Sequence, residues 1–174
     1  MDSARKLHFV AELKQHYRDI IAGAADAESG TAAAADSLQR EARSREDAKG
    51  AAEFGRMSLQ HRGRRERAKR ELEALIRFAK GGLVDLPRSA RVGLGALVDV
   101  SLEDADTGDT EERTLFILPV GAGTDLLGPG GDGFVSVITP DSPVGRSLMG
   151  SVEGDSFEIA TRKQAREWTV AFVG

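Results

Sequence analysis

From Ser3 to Ala79 the apolar residues return every three or four positions, a spacing that admits an α-helix and little else. Leu7, Val10, Leu13, Tyr17, Ile20, Ile21 and Ala24 form one stripe, and Phe54, Met57, Ala68, Leu72, Leu75 and Ile76 form a sparser second one. Between them lies QREARSREDAKGAAEF, dense in charge and without a large apolar residue before Phe54. Two stripes separated by a solvated stretch predict a helical hairpin. Pairing Leu7 with Leu75 and Ile20 with Ala68 puts the reversal near residues 41–44. A helix of about 35 residues would span roughly 50 Å. Such a pair buries one narrow seam, as a coiled coil does. The alanines around Gly23 and Gly30 let the helices approach closely, with Ser29-Gly30 as the expected weak point.

The remainder follows a different period. Gly81-Gly82 stops the second helix, and LVDLPRSARVG reads as a linker containing Pro87. Beyond it, short β segments alternate with turns: Ala96 to Leu102, Arg113 to Val120, Phe134 to Ile138, Ser156 to Ala160 and Glu167 to Val173. Asp106-Thr107-Gly108-Asp109 supplies a turn, GPGGDG a loop, and Ser142 to Met149 one short helix that Gly150 ends. The predicted fold class is α+β: a hairpin over 1–80, a linker over 81–91, and an antiparallel sheet domain with one short helix over 92–174.

Charge divides along the same line. Residues 1–80 carry 17 Lys/Arg against 13 Asp/Glu, and residues 81–174 carry 7 against 15, so +4 and −8 make the net −4. Zero cysteines exclude disulfides, thiolate zinc sites and a cysteine nucleophile. No apolar run approaches 18 residues and no signal-peptide core is present, so the expectation is a cytoplasmic protein with no membrane span.

Few motifs carry chemistry of their own. His8, His16 and His61 all lie in the hairpin at spacings unsuited to metal, and the second half has no histidine for a Ser-His-Asp site. The DADTG run fails as a calcium loop, because Gly108 stands where a third acid is needed. GPGGDG fits neither phosphate-binding glycine motif. Arg62 to Arg70 sets six cations against one carboxylate. Such a run is either a solvated face or a contact for RNA or DNA phosphates through Arg62, Arg64, Arg65 and Lys69. At the reversal, Glu46 and Asp47 lie among Arg40, Arg43, Arg45 and Lys49. They form either a salt-bridged turn or a pair of ligands for a hard cation such as Mg²⁺ shared with another macromolecule.

Ser142-Pro143-Val144-Gly145-Arg146-Ser147-Leu148-Met149-Gly150, followed by Gly154-Asp155 and a strand, resembles the C-terminal signature of bacterial Gre transcript-cleavage factors. Val92 to Val98 and Leu102-Glu103-Asp104 are similar to that family's first C-terminal strand. The resemblance implies an FKBP-like domain that docks on RNA polymerase at the rim of its secondary channel, with Ser142, Pro143 and Arg146 near the docking surface. It also implies a hairpin that enters the channel toward the active centre and nascent RNA. In that family two tip acids help hold a Mg²⁺ ion of the polymerase while it cleaves backtracked RNA. Here Asp47 occupies the first acid position and Gly50 the second, with Glu46 beside them. The implied function is regulation of transcription elongation by a monomer that is not itself an enzyme and holds no metal stably. It either stimulates cleavage through Asp47 and Glu46 or binds the channel without doing so.

Two readings come from other classes. A prolyl isomerase of FKBP shape would need Phe116, Phe134, Phe157, Trp168 and Phe172 around a pocket, whereas a domain of this size uses such rings for its core. A purely structural or dimerising hairpin is the other.

Overall fold

The computed structural model describes residues 3–41, 44–87, 89–104, 107–131, 133–160 and 165–174, with backbone alone at 160 and 165. Two helices come first, α1 (Ser3–Glu41) and α2 (Arg45–Lys80). Then follow β1 (Leu97–Asp104), β2 (Thr110–Ile117), β3 (Asp125–Leu127), a 3₁₀ turn (Pro129–Gly131), β4 (Phe134–Ile138), α3 (Pro143–Leu148), β5 (Ser156–Ala160) and β6 (Ala165–Val173). The chain divides into two compact units: Lys14–Glu73, and residues 1–13 together with 74–174.

The Lys14–Glu73 unit is the hairpin, and the break between Glu41 and Arg45 falls at the expected reversal, whose residues 42 and 43 lie outside the described ones. Its antiparallel register is fixed by Glu28 beside Arg62 and Arg65, and by the side chain of Leu38 beside Gly50. α1 continues through Gly30, so the expected weak point is ordinary helix. The buried stripe differs from the expected one. Leu7 is 56% exposed and Met57 is 40% exposed, whereas Lys6, Glu28, Ala51 and Ser58 are buried. Val10, Leu13, Tyr17, Ala24, Ala68 and Leu75 are buried as the apolar spacing predicts, but at the start of α1 Lys6 and Phe9 face inward in place of Leu7. Hydrophobicity alone could not place two charged side chains on the inner face.

The second unit is a six-stranded sheet in the order β3-β4-β2-β1-β6-β5. Four neighbouring pairs are antiparallel, but β2 and β4 run parallel, which corrects the all-antiparallel expectation. The short strand β3 makes this possible: it pairs antiparallel with β4 at the edge, so the chain enters β4 in the direction of β2. β1 lies between β2 and β6; at its start Leu97 and Val98 are both fully inaccessible, and further along Val100, Leu102 and Asp104 are buried while Asp99 and Ser101 are half-buried and Glu103 exposed on the other face. One face packs Val98, Val100, Leu102, Leu115, Ile117, Trp168 and Val170 with Leu148 of α3 and Val92, which precedes β1. On the other, Phe9 from the start of α1 lies 6.2 Å from the Phe116 ring, and Leu13 reaches Gly121 and Val137. The first turns of α1 therefore complete this unit's core.

Lys6 belongs to that closure. Its ammonium is buried and donates to the Val84 carbonyl at 2.7 Å. Burial pushes its pKa down, opposed by the Asp85 carboxylate. Five aromatic rings were expected in the sheet domain's core. Phe116 and Trp168 are buried, Phe157 and Phe172 half-buried, but Phe134 is 67% exposed. β4 reaches β2 only from Val135 onward, so its first residue pairs with Leu127 of β3 alone.

Candidate functional site

The tip of the hairpin is built by a helix cap. Ser44 accepts a hydrogen bond from the Asp47 backbone N–H on its Oγ (3.1 Å), and the Asp47 carboxylate accepts from the Ser44 N–H (3.0 Å). This reciprocal pair satisfies two amide donors that a helix start leaves open. Glu46 and Asp47 also place negative charge in the first turn of α2, where the helix dipole favours it. Asp47 is half-buried, with one carboxylate oxygen engaged in the cap, and Glu46 is exposed. The Ser-x-x-Asp spacing was present in the sequence and signals such a cap. Read that way, it would have assigned Asp47 a structural task first.

Among the described residues no three His, Cys, Asp or Glu side chains come together to hold an ion. Gly50 contributes no ligand, and a Cβ built on it would meet only Leu38 Cδ1 at 3.7 Å, so a side chain there has room.

Further along the hairpin sits a buried ionic node. Glu28 is 8% exposed, takes Arg62 Nε at 2.8 Å on Oε1 and has Arg65 Nη1 3.0 Å from Oε2. The Arg65 contact is an ion pair whose angles miss those of a hydrogen bond, as Oε2 has no hydrogen-bond donor among the described residues. Ser58 Oγ donates to the Glu28 carbonyl across the seam at 3.3 Å. Nearby, burial reinforced by the Glu71 carboxylate pushes the Tyr17 hydroxyl upward. The Tyr17 oxygen has no hydrogen bond of acceptable geometry, so burial and charge act on it rather than a well-formed bond.

The node changes the meaning of the basic run. Of the four candidate phosphate contacts, Arg62 and Arg65 are drawn to Glu28, and Lys69 lies 3.0 Å from Glu66. Arg64 is exposed, as are Arg67 and Arg70. Sequence reasoning missed Glu28 because a lone acid inside an alanine-rich helix gives no signal until its partners are folded against it.

The Ser142 turn is fixed by its own backbone. Ser142 caps α3, accepting from the Gly145 N–H (3.0 Å) and donating to the Thr139 carbonyl (2.8 Å). Pro143 occupies the first helical turn, where its missing N–H costs nothing. A Cβ on Gly145 would lie 2.0 Å from the Thr139 oxygen, so only glycine fits. Leu148 anchors the helix in the core. Ser142 and Gly145 thus shape the turn, while Pro143 and Arg146 are exposed on it, the latter donating to the Asp141 carbonyl at 2.8 Å.

A helical hairpin with a capped tip precedes a six-stranded sheet domain with one short helix. The family model described as transcription elongation factor GreA/GreB, C-terminal, matches residues 87–173, and this chain belongs to that family. The GreA factor homologue 1 (Gfh1) of Thermus thermophilus is similar at 17% identity over 92% of this chain and 94% of its own, with a TM-score of 0.34. Gfh1 of Thermus aquaticus gives 17% identity over 91% and 92%, with a TM-score of 0.34. A GreA/GreB elongation factor from Nitrosomonas europaea gives 20% over 51% and 64%, also at 0.34. Among curated proteins none matches the chain. No described helix is long and apolar enough to cross a membrane.

Proposed function

We propose that this protein regulates transcription elongation by binding RNA polymerase at the rim of the secondary channel, directing its hairpin toward the active centre without stimulating transcript cleavage. Family membership supports the polymerase as partner. The exposed Pro143 and Arg146, held on a turn that Ser142 and Gly145 stiffen, supply a preorganised docking point. The observation that carries the non-cleaving reading is the tip: Asp47 is engaged in the α2 cap, and Gly50 leaves the second acid position empty of a carboxylate. A polymerase Mg²⁺ would then meet exposed Glu46 alone, one ligand where the cleavage chemistry draws on two.

Stalled, backtracked polymerase with Mg²⁺ tests this directly. The protein is expected to leave RNA length unchanged while displacing a known channel binder. Shortened RNA would overturn the non-cleaving reading and assign the chemistry to Asp47 and Glu46 with a Mg²⁺ shared with the polymerase. Failure to compete would overturn docking itself. Pro143→Ala with Arg146→Ala is expected to weaken competition about tenfold with the melting temperature unchanged. Gly50→Glu, which the open space at that position accommodates, is the variant expected to gain cleavage.

A further inference from the structure

The open face of the sheet unit carries a row of like charges. Glu103 of β1 stands directly opposite Glu167 of β6, and Glu167 directly opposite Glu158 of β5. One residue along each strand, Leu102, Trp168 and Phe157 pair in the same way and face the core. The three glutamates therefore share the face turned away from it, and all are exposed. Residues directly opposite hold their Cβ atoms about 5 Å apart, and like charges so placed destabilise a sheet.

The other face shows how such a charge is balanced. There Glu111 accepts from Arg113 Nε at 2.8 Å and from Arg166 Nη1 at 3.3 Å, and the Arg113 bond holds its carboxyl below the usual range. Among the described residues no Lys, Arg or His forms an ion pair with Glu103, Glu158 or Glu167.

The hairpin presents the complement. Arg64, Arg67 and Arg70 follow one another at steps of three along α2, are exposed, and take part in no ion pair among the described residues. Side chains three apart on a helix are neighbours, so this row is roughly 11 Å long, against roughly 10 Å for the glutamates. Three cations without a counter-charge match three such anions in number and in spacing.

We propose that the open face of β1, β6 and β5 docks α2 of a second copy of this chain, setting Glu103, Glu167 and Glu158 against Arg64, Arg67 and Arg70. Nucleic acid suits the arginines but is repelled by the glutamates, whereas a second copy answers both rows. Exposed ion pairs are individually weak, so the association belongs to high protein concentration and low salt. It stands apart from the polymerase reading, because neither row includes the hairpin tip or the Ser142 turn.

The test is sedimentation equilibrium of the nuclease-treated full chain over a range of concentrations. In about 20 mM salt the average mass is expected to rise with concentration, and in about 500 mM salt to stay at the single-chain value. Glu103→Lys with Glu158→Lys and Glu167→Lys is expected to abolish the rise, as is Arg64→Glu with Arg67→Glu and Arg70→Glu. Mixing the two reversed variants is expected to restore it, an outcome that misfolding of either cannot mimic. All six side chains are exposed, and unchanged melting would confirm that the variants fold. A single-chain mass at low salt overturns the proposal, as does a rise that either variant keeps alone, or a mixture that stays monomeric. Association seen only before nuclease treatment would assign the arginines to nucleic acid and overturn it equally.

Discussion

The hairpin and the sheet unit solve the same problem, holding a chain in one arrangement, by opposite means. In the hairpin the buried positions beyond Tyr17 are small or charged: Ala24, Ala51, Ser58 and Ala68, with Glu28 among them. Its register rests on one ionic node and a cap at the turn. In the sheet unit most buried positions are large and apolar, and at the start of β1 both faces are covered. The polar devices there, Ser142 and Lys6, sit at the margins. A long two-helix element has too little apolar seam to choose its own register, so a specific polar contact does so. A two-sided core needs no such help, but it tolerates no extra atoms.

That contrast can be broken most severely at Gly145. Gly145→Ala forces a methyl group into the Thr139 carbonyl, and a loss of about 4 kcal/mol is expected in chemical denaturation followed by Trp168 fluorescence. The hairpin's helical signal should survive it. Next in size, Glu28→Ala leaves two arginines without their acid. Because Arg62 is largely exposed and Arg65 partly so, about 2 kcal/mol is expected rather than the full cost of a dry pair, read from helical circular dichroism. Glu28→Leu combined with Arg65→Leu should recover much of that loss, because an apolar pair can replace a buried ion pair.

How far the sequence disclosed these devices differs between the two regions. The reversal near residue 44, the helix stop at Gly81, the bounds of β4 and β5 and the short helix after Ser142 were all readable from period and punctuation. The inner stripe was misjudged by one residue at Leu7, because Lys6 can bury its stem and find the Val84 carbonyl only once the linker is in place. β3 is three residues long, below what periodicity detects, and with it went the parallel pairing of β2 and β4. At the tip the Ser44–Asp47 spacing signals a cap, whereas charge pattern alone leaves Glu46 and Asp47 as either a salt-bridged turn or cation ligands.

Alkaline titration separates the two regions by sign. Tyr17, in the hairpin, has its folded pKa raised by burial and then Glu71, so its contribution is present below pH 10.0 and is lost as pH climbs toward the folded value. Lys6, in the sheet unit, has a folded pKa lowered by burial. Its contribution is fully present only above 10.5 and is lost as pH falls through the folded value. Raising the pH past 10 is therefore expected to weaken the helical signal while the sheet unit, followed by Trp168, gains or holds. Tyr17→Phe should remove the first trend and Lys6→Met the second. The smallest effect expected is at the cap. Ser44→Ala should cost about 1 kcal/mol of hairpin stability and leave the sheet unit's melting unchanged.

The placement of β1 has a consequence in time. Its two neighbours are made at very different moments, β2 just after it and β6 only once β3, β4, α3 and β5 have all been synthesised. Until β6 arrives, one flank of β1 and the whole of β5 lack their pairing partner. A nascent chain therefore exposes a sticky, half-zipped edge while its N-terminal helices can already wind. Slow synthesis through β3 to β5 would prolong that interval, and it is there that a trigger-factor-like holdase would have most to protect.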